Sequence, residues 1–247
     1  NERFPPRAVE SRRPELREHP ENLIQSLVAT RDAGEGLTDD DVSGNVLTML
    51  LAGEDTTANT LAWMIWLLAR HPDALARARE EIARVLGSEP LPTSVDQLAK
   101  LDYVEACANE AMRLKPVAPL NVLQAAEDVV VDGVQLPKGT FVMCLMRPAG
   151  MDPARFEDPQ SFRPERWTAE GAASEGRMFS SKRVVMPFGG GPRLCPGRYL
   201  ALAEIKILAS MLLASFDMEV LCASGEPKER LHLTMSPVGL KMRLRER

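Results

Sequence analysis

One stretch of the sequence combines a reactive side chain with an unusual density of glycine. Residues 184–204 read VVMPFGGGPRLCPGRYLALAE, where three glycines precede Cys195 and an amphipathic helix is predicted to follow it. Glycines let the backbone turn tightly and let a bulky partner approach it. The free amide groups at a helix start favour an anion such as a thiolate. The segment therefore predicts a thiolate presented to a flat or bulky partner.

Other chemistries of a glycine-rich loop fit these residues less well. A phosphate-binding loop needs a lysine followed by serine or threonine after its last glycine, and Arg198 and Tyr199 do not supply them. A zinc site needs further ligands, and no second cysteine lies within four residues of Cys195. Packing of a small buried thiol does not require three adjacent glycines. The remaining interpretation is a cysteine that binds a metal cofactor by itself.

Residues 188–197, FGGGPRLCPG, resemble the haem-binding signature of the cytochrome P450 family, F-x-x-G-x-R-x-C-x-G, at every fixed position. The resemblance implies haem b as cofactor, with the Cys195 thiolate as the axial ligand of its iron. It also implies that Phe188 packs beside the sulfur and that Arg193 pairs with a haem propionate. The loop residues assigned to the cofactor in this way are Phe188, Gly191, Arg193, Cys195 and Gly197.

A second unusual group lies inside a long apolar helix. Thr38 and Asp41 form a capping-box pattern and Pro72 marks the far end, which together predict a helix of about 33 residues. In its middle, residues 52–57 read AGEDTT. Threonine hydroxyls can bond to carbonyls of the preceding turn and bend a helix, so a solvated kink is one interpretation. The other is a hydroxyl and a carboxylate that project into a pocket and relay protons.

The same residues resemble the P450 oxygen-activation pattern, A/G-G-x-D/E-T-T/S. The resemblance implies that Thr56 holds the proton network at the oxygen and that Asp55 feeds it with protons from solvent. It also implies that Ala52 and Gly53 leave room above the haem for oxygen and substrate.

A third pattern places opposite charges on one helix face. Glu110 and Arg113 lie three residues apart on a helix predicted over Asp102–Lys115. Such a pair is most often solvated, but the family has E-x-x-R at this place in the chain. The resemblance implies a buried network that Arg166, in Pro164-Glu-Arg-Trp167, completes. We therefore expect Glu110, Arg113 and Arg166 to act structurally.

The remaining elements follow from periodicity and turn residues. We expect two more helices and two regions of strand before the cysteine loop, then a helix and a hairpin after it. The expected helices are Leu23–Thr30, Asp73–Leu86 with an αL cap at Gly87, and Gly197–Ser215. The expected strands are the Val129–Leu136 hairpin turning at Asp132-Gly133, Thr140–Met146, and a tail hairpin of Leu231–Thr234 and Val238–Leu244 about Ser236-Pro237.

Composition narrows the class of protein. The net charge of −5 gives no basic excess, so nucleic acid is not an expected partner. Four cysteines without close pairing fit a reducing compartment, and we expect a cytoplasmic location, with a membrane anchor in a missing N-terminal part left open. Residues 1–37 predict a linker and a short helix, and 38–247 the C-terminal, haem-binding portion of one P450 domain. The resemblance implies a mostly α fold with small β-sheets (α+β).

The function that the resemblance implies is a haem-thiolate monooxygenase. It would insert one atom of O2 into a small apolar organic substrate, with electrons from a ferredoxin or a reductase. A peroxide-using or isomerising member of the family is a second hypothesis, against which Asp55 and Thr56 argue. A third is a truncated inactive product or a non-catalytic haem-binding or interaction module. Lys182, Arg183, Arg193 and Arg198 form either a solvated face or a docking surface for the electron donor.

Overall fold

The computed structural model describes residues 19–89, 91–169, 171, 184–221 and 226–247. Its α-helices are α1 Leu23–Asp32, α2 Asp39–Arg70, α3 Pro72–Leu86, α4 Val95–Ala99, α5 Asp102–Leu114, α6 Met146–Gly150 and α7 Arg198–Ser215. Its strands are β1 Leu120–Gln124, β2 Val129–Val131, β3 Val134–Leu136, β4 Phe141–Leu145, β5 Phe216–Val220, β6 Lys228–Leu231, β7 Met235–Val238 and β8 Met242–Glu246. This mostly helical architecture with small sheets confirms the expected fold class.

The chain divides into two compact units, Asn1–Glu54 and Asp55–Arg247. In the first unit the predicted capping box starts α2: the Thr38 amide donates to Asp41 Oδ2 at 2.8 Å, and the Asp41 amide donates to Thr38 Oγ1 at 3.2 Å. These bonds from the Thr38 side chain and backbone lower the pKa of Asp41. The proposed boundary between residues 37 and 38 stays a prediction.

The core of the second unit lies among the later turns of α2 and helices α3, α5 and α7. Its buried side chains include Trp63, Leu68, Ile82, Val104 and Leu213. Helix α5 begins where the Glu81 carboxylate of α3 accepts the amides of Tyr103 and Val104, each at 2.9 Å. A neighbouring helix therefore supplies the cap that the local sequence lacks.

The ends of α5 and α3 lie where the sequence predicts them, but one of the two caps differs. Helix α5 ends before Pro116, as expected, because proline disfavours a helical residue before it. Helix α3 ends at Leu86, also as expected, but Gly87 has φ 62° and ψ −118°. The expected αL cap is therefore wrong: with no Cβ, glycine can take this other positive-φ conformation, in which its amide still donates to Ala83 O at 2.9 Å.

The strands form four two-stranded antiparallel sheets among the described residues. The β2–β3 hairpin confirms the prediction, with Asp132 at φ 49° and Gly133 at φ 79° in its turn. Strand β4 confirms the predicted apolar strand, and its partner β1 was not predicted.

The expected tail hairpin is wrong. Pro237 lies inside β7, opposite Glu229 of β6, and the turn between these strands is 232–234. The last strand, β8, pairs instead with β5, which directly follows α7. Proline can occupy a strand at the edge of a sheet, where its missing N–H leaves no ladder bond unmade. Ser236-Pro237 therefore did not mark the turn.

Candidate functional site

The cysteine loop is closed by its own backbone. The Cys195 amide donates to Phe188 O at 2.9 Å, and the Gly189 amide donates to Met186 O at 2.9 Å. Gly189 and Gly191 have φ of 73° and 62°, a region that side chains with a Cβ rarely adopt. The glycines are therefore needed to fold the loop that presents Cys195.

The thiol lies at the entry to a helix, as the sequence predicts. Cys195 is half-buried and forms no disulfide, and Gly197 is the N-cap of α7. Helix α7 begins at Arg198, one residue later than expected. The first turn of α7 begins three residues after Cys195, and free amides at a helix start can bind an anion.

Two cations hold α7 in place. Lys206 is buried, and its Nζ lies 2.5 Å from Glu105 Oε2 on α5 and donates to Leu98 O at 3.0 Å. At the C-terminal end of α7, Arg79 of α3 donates to the carbonyls of Leu213 and Phe216 at 3.1 and 2.7 Å. Cationic groups at a helix C-terminus satisfy its last carbonyls and favour its dipole. The helix that follows Cys195 is thus fixed to the core at its middle and at its C-terminal end.

The surroundings of Cys195 fit haem in their chemistry. Leu194, Tyr199 and Leu200 expose 42%, 74% and 59% of their surface, so a bulky apolar group would find apolar contacts here. Arg193 is exposed and its guanidinium has no hydrogen bond or ion pair within the part of the chain that the structure describes. A thiolate ligand, apolar side chains and a free guanidinium match an apolar macrocycle that carries carboxylates.

Asp55 and Thr56 lie on a separate element, α2, at the start of the second unit. The helix is continuous through both residues, with Asp55 exposed and Thr56 half-buried. The Thr60 hydroxyl donates to Thr56 O at 2.8 Å, the back-bonding expected of a threonine inside a helix. The pair is thus an acid in solvent beside a hydroxyl that is partly withdrawn from it.

The structure brings Glu110, Arg113 and Arg166 together, and all three side chains are fully buried. Arg113 donates to both carboxylate oxygens of Glu110, through Nε at 2.8 Å and Nη2 at 2.7 Å. Arg166 Nε donates to Glu110 Oε1 at 3.3 Å. One carboxylate therefore lies between two buried guanidinium groups.

Two further donors to this carboxylate were missed in the sequence. Trp167 Nε1 donates to Glu110 Oε2 at 2.8 Å, and the Arg163 amide donates to Glu110 Oε1 at 2.9 Å. Arg113 also donates to Gly150 O and Pro159 O, both at 2.6 Å. The signal for Trp167 was available, since a buried indole N–H needs an acceptor and Trp167 follows Arg166. The network thus joins α5 to the loop 150–167.

A second charge cluster lies at the base of the β6–β7 hairpin. Lys115 Nζ lies 2.7 Å from Glu229 Oε1, and Arg147 Nη2 lies 2.7 Å from Glu229 Oε2. Burial raises the pKa of Glu229, but the hydrogen bonds from Lys115 and Arg147 outweigh it and the net pKa is lowered. Arg147 thus has a carboxylate partner, Glu229, within this cluster.

Two members of the predicted docking surface for the electron donor, Lys182 and Arg183, fall outside the described residues. No helix in the described ranges is both long and apolar enough to span a membrane.

Comparison with known proteins gives consistent results. The family model described as Cytochrome P450 matches residues 5–243. A Flavonoid 3'-monooxygenase of Arabidopsis thaliana is 36% identical over 218 residues, which are 87% of this chain and 42% of that protein. Cytochrome P450 27C1 of Danio rerio is 35% identical over 223 residues, 90% of this chain and 39% of that protein.

Solved structures agree with these sequence matches. The haem domain of cytochrome P450DA superposes with a TM-score of 0.76 at 32% identity, covering 85% of this chain and 46% of that one. The chain therefore spans about two fifths of the length of the curated relatives that it matches. The chain belongs to the cytochrome P450 family, as the loop 188–197 had indicated.

Proposed function

We propose that this chain forms the haem-binding part of a haem-thiolate monooxygenase that inserts one atom of O2 into a small apolar organic substrate. The observation that carries the proposal is the closed loop 188–195, which holds a half-buried cysteine without a disulfide at a helix start. Membership of a family whose relatives include a Flavonoid 3'-monooxygenase supports oxidative chemistry. The electron donor, a ferredoxin or a reductase, is part of the same proposal.

In this proposal the loop residues divide the binding of haem b among them. Cys195 binds the iron, Phe188 covers the sulfur against water, and Arg193 pairs with a propionate. Gly191 and Gly197 keep the backbone free of side chains where the macrocycle approaches. When bound, haem with a thiolate ligand supplies the electron density that favours cleavage of the O–O bond.

Asp55 and Thr56 would move protons. Asp55 is exposed to solvent, whereas Thr56 is half-buried next to it in the chain. A carboxylate in solvent next to a partly buried hydroxyl can pass a proton from water into a site that otherwise excludes water. The exposure of the acid and the partial burial of the hydroxyl support this direction of transfer.

The cofactor assignment is tested by the carbon monoxide difference spectrum of the reduced full-length protein. We expect a thiolate-type Soret band that disappears in Cys195→Ser. Cys144→Ser is the matched control, because Cys144 is also a free, half-buried cysteine but lies on β4. A thiolate-type Soret band that survives in Cys195→Ser would refute the assignment.

The proton-relay assignment is tested by Thr56→Ala in the same full-length protein. We expect electron consumption to continue while product formation falls, since proton delivery no longer keeps pace with electron delivery. Thr48→Ala is the control: it removes another hydroxyl of α2, one that donates to Gly44 O at 2.7 Å. Full coupling in Thr56→Ala would count against the relay.

A further inference from the structure

Met186 contacts the cysteine loop through both its backbone and its side chain. Its carbonyl accepts the Gly189 amide at 2.9 Å. Its Sδ lies 3.4 Å from the position that a Cβ on Gly190 would occupy, and glycine leaves that position empty. The sulfur therefore packs over the backbone of Gly190, inside the segment that presents Cys195.

The side chain of Met186 is also accessible to small molecules in solution. Among the methionines in the described part of the chain, Met186 and Met143 are the exposed ones, at 46% and 60%. Met143 lies on β4, outside the cysteine loop. Met186 thus combines an accessible side chain with a contact to the loop, and Met143 supplies a matched accessible thioether elsewhere.

Hydrogen peroxide can convert such a thioether to a sulfoxide. An S–O bond forms, the O–O bond of peroxide breaks, and water leaves; the sulfur loses two electrons and peroxide gains them. Peroxide itself forms when O2 takes up two electrons and two protons and no substrate is oxidised. The product side chain is polar, and its oxygen accepts hydrogen bonds, whereas a thioether sulfur is only a weak acceptor.

A sulfoxide oxygen over Gly190 has hydrogen-bond donors within the same loop. Two backbone bonds close the loop: the Gly189 amide donates to Met186 O and the Cys195 amide donates to Phe188 O, each at 2.9 Å. An oxygen that competes for either amide weakens the corresponding bond. Oxidation of Met186 would therefore loosen the loop that fixes the position of Cys195.

We propose that Met186 is an oxidation site through which peroxide loosens the cysteine loop and weakens the binding of a metal by Cys195. The metal in this inference rests on the proposed function, whereas the change in the loop does not. The modification is reversible, because methionine sulfoxide reductases restore the thioether. Met186 would thus lower the activity of protein that releases peroxide instead of product.

The test treats the haem-loaded full-length protein with hydrogen peroxide and follows Met186 by peptide mass spectrometry. We expect the thiolate-type Soret band with carbon monoxide to fall in proportion to sulfoxide at Met186, and to recover after treatment with the two reductases, one for each epimer. Met186→Leu, which keeps an apolar side chain of similar volume, should retain the band, and Met143→Leu should lose it as the parent does. Equal loss in Met186→Leu, no recovery, or an unoxidised Met186 beside an oxidised Met143 overturns the proposal.

A second measurement, amide hydrogen exchange at Cys195, needs no haem. Oxidation should speed this exchange about fivefold in the parent, the value of one weakened hydrogen bond, and leave it unchanged in Met186→Leu. Unchanged exchange in the oxidised parent refutes the inference even where the untreated protein shows the thiolate-type band. Faster exchange in a protein that never shows this band refutes the proposed function and leaves the loosening of the loop established.

Discussion

Replacing Glu110 by glutamine removes the one negative charge between two buried guanidinium groups. The carboxylate accepts five hydrogen bonds, from Arg113 Nε and Nη2, Arg166 Nε, Trp167 Nε1 and the Arg163 amide. Glutamine has nearly the same shape, but its amide nitrogen donates and cannot accept. Some of these donors would therefore face another donor, and both arginines would lose the negative charge of Glu110 that they share.

The expected loss of stability is large. Breaking a buried ion pair by neutralising one partner costs about 3–5 kcal/mol, because the remaining charge stays desolvated. The side chains of Glu110, Arg113 and Arg166 are each 0% exposed, so solvent screening does not reduce this figure. The free energy of unfolding of a domain is about 5–15 kcal/mol in total, so the substitution would remove a large part of that stability.

The assay is urea unfolding of the parent and Glu110→Gln proteins, followed by helical circular dichroism. With a urea slope of about 2 kcal/mol per molar, we expect the midpoint to fall by roughly 1.5–2.5 M. Glu219→Gln is the matched control, since Glu219 and Arg243 pair at 2.9 Å with half of each side chain exposed, and such pairs are worth less than about 1 kcal/mol. Equal midpoints for the two variants would refute the reasoning.

Three further predictions follow from other contacts. Glu229→Gln should lower the melting temperature at pH 7, and by progressively less as the pH falls below 4.5. The pKa of Glu229 is lowered, so its contribution to stability is complete above the ordinary value of 4.5 and is lost as the pH falls through the folded value. Gly150→Ala should destabilise the protein in urea, because a Cβ there would lie 3.0 Å from Arg113 Cγ, whereas Gly53→Ala meets no atom within 4 Å and should not. Burial, aided by nearby carboxylates, raises the pKa of Cys107 well above its ordinary value, so iodoacetamide at pH 8 should label it only after unfolding, as mass spectrometry would show.

Local signals in the sequence predicted most of the helices. The Thr38 and Asp41 capping box, and the proline after Lys115, act within a few residues of the ends that they mark, and the structure has helix ends at both places. The Asp132-Gly133 turn was equally readable, because a two-residue hairpin turn of type I′ needs positive φ at both positions, which aspartate and glycine tolerate. The predicted C-terminal hairpin was wrong because Ser236-Pro237 has the residue types of a turn and yet lies in an edge strand.

The sequence by itself determined the chemistry of the candidate site. The types and spacing of residues 188–197 specify a thiolate, a guanidinium and a flexible backbone within ten positions, and no distant residue is needed to recognise them. The E-x-x-R pair is local in the same sense, since the helical period alone puts Glu110 and Arg113 on one face. Haem binding and proton relay stay predictions until they are measured.

Only the tertiary structure decided which distant groups meet. Trp167 and Glu110 are 57 residues apart in the chain, and Asn59 and Thr234 are 175 apart. Periodicity shows that a helix face is apolar or polar, but not which remote segment covers it. The pairing of β5 with β8 and the bond between Asn59 of α2 and Thr234 depend on that choice, because each buried donor must find an acceptor that packing brings within reach.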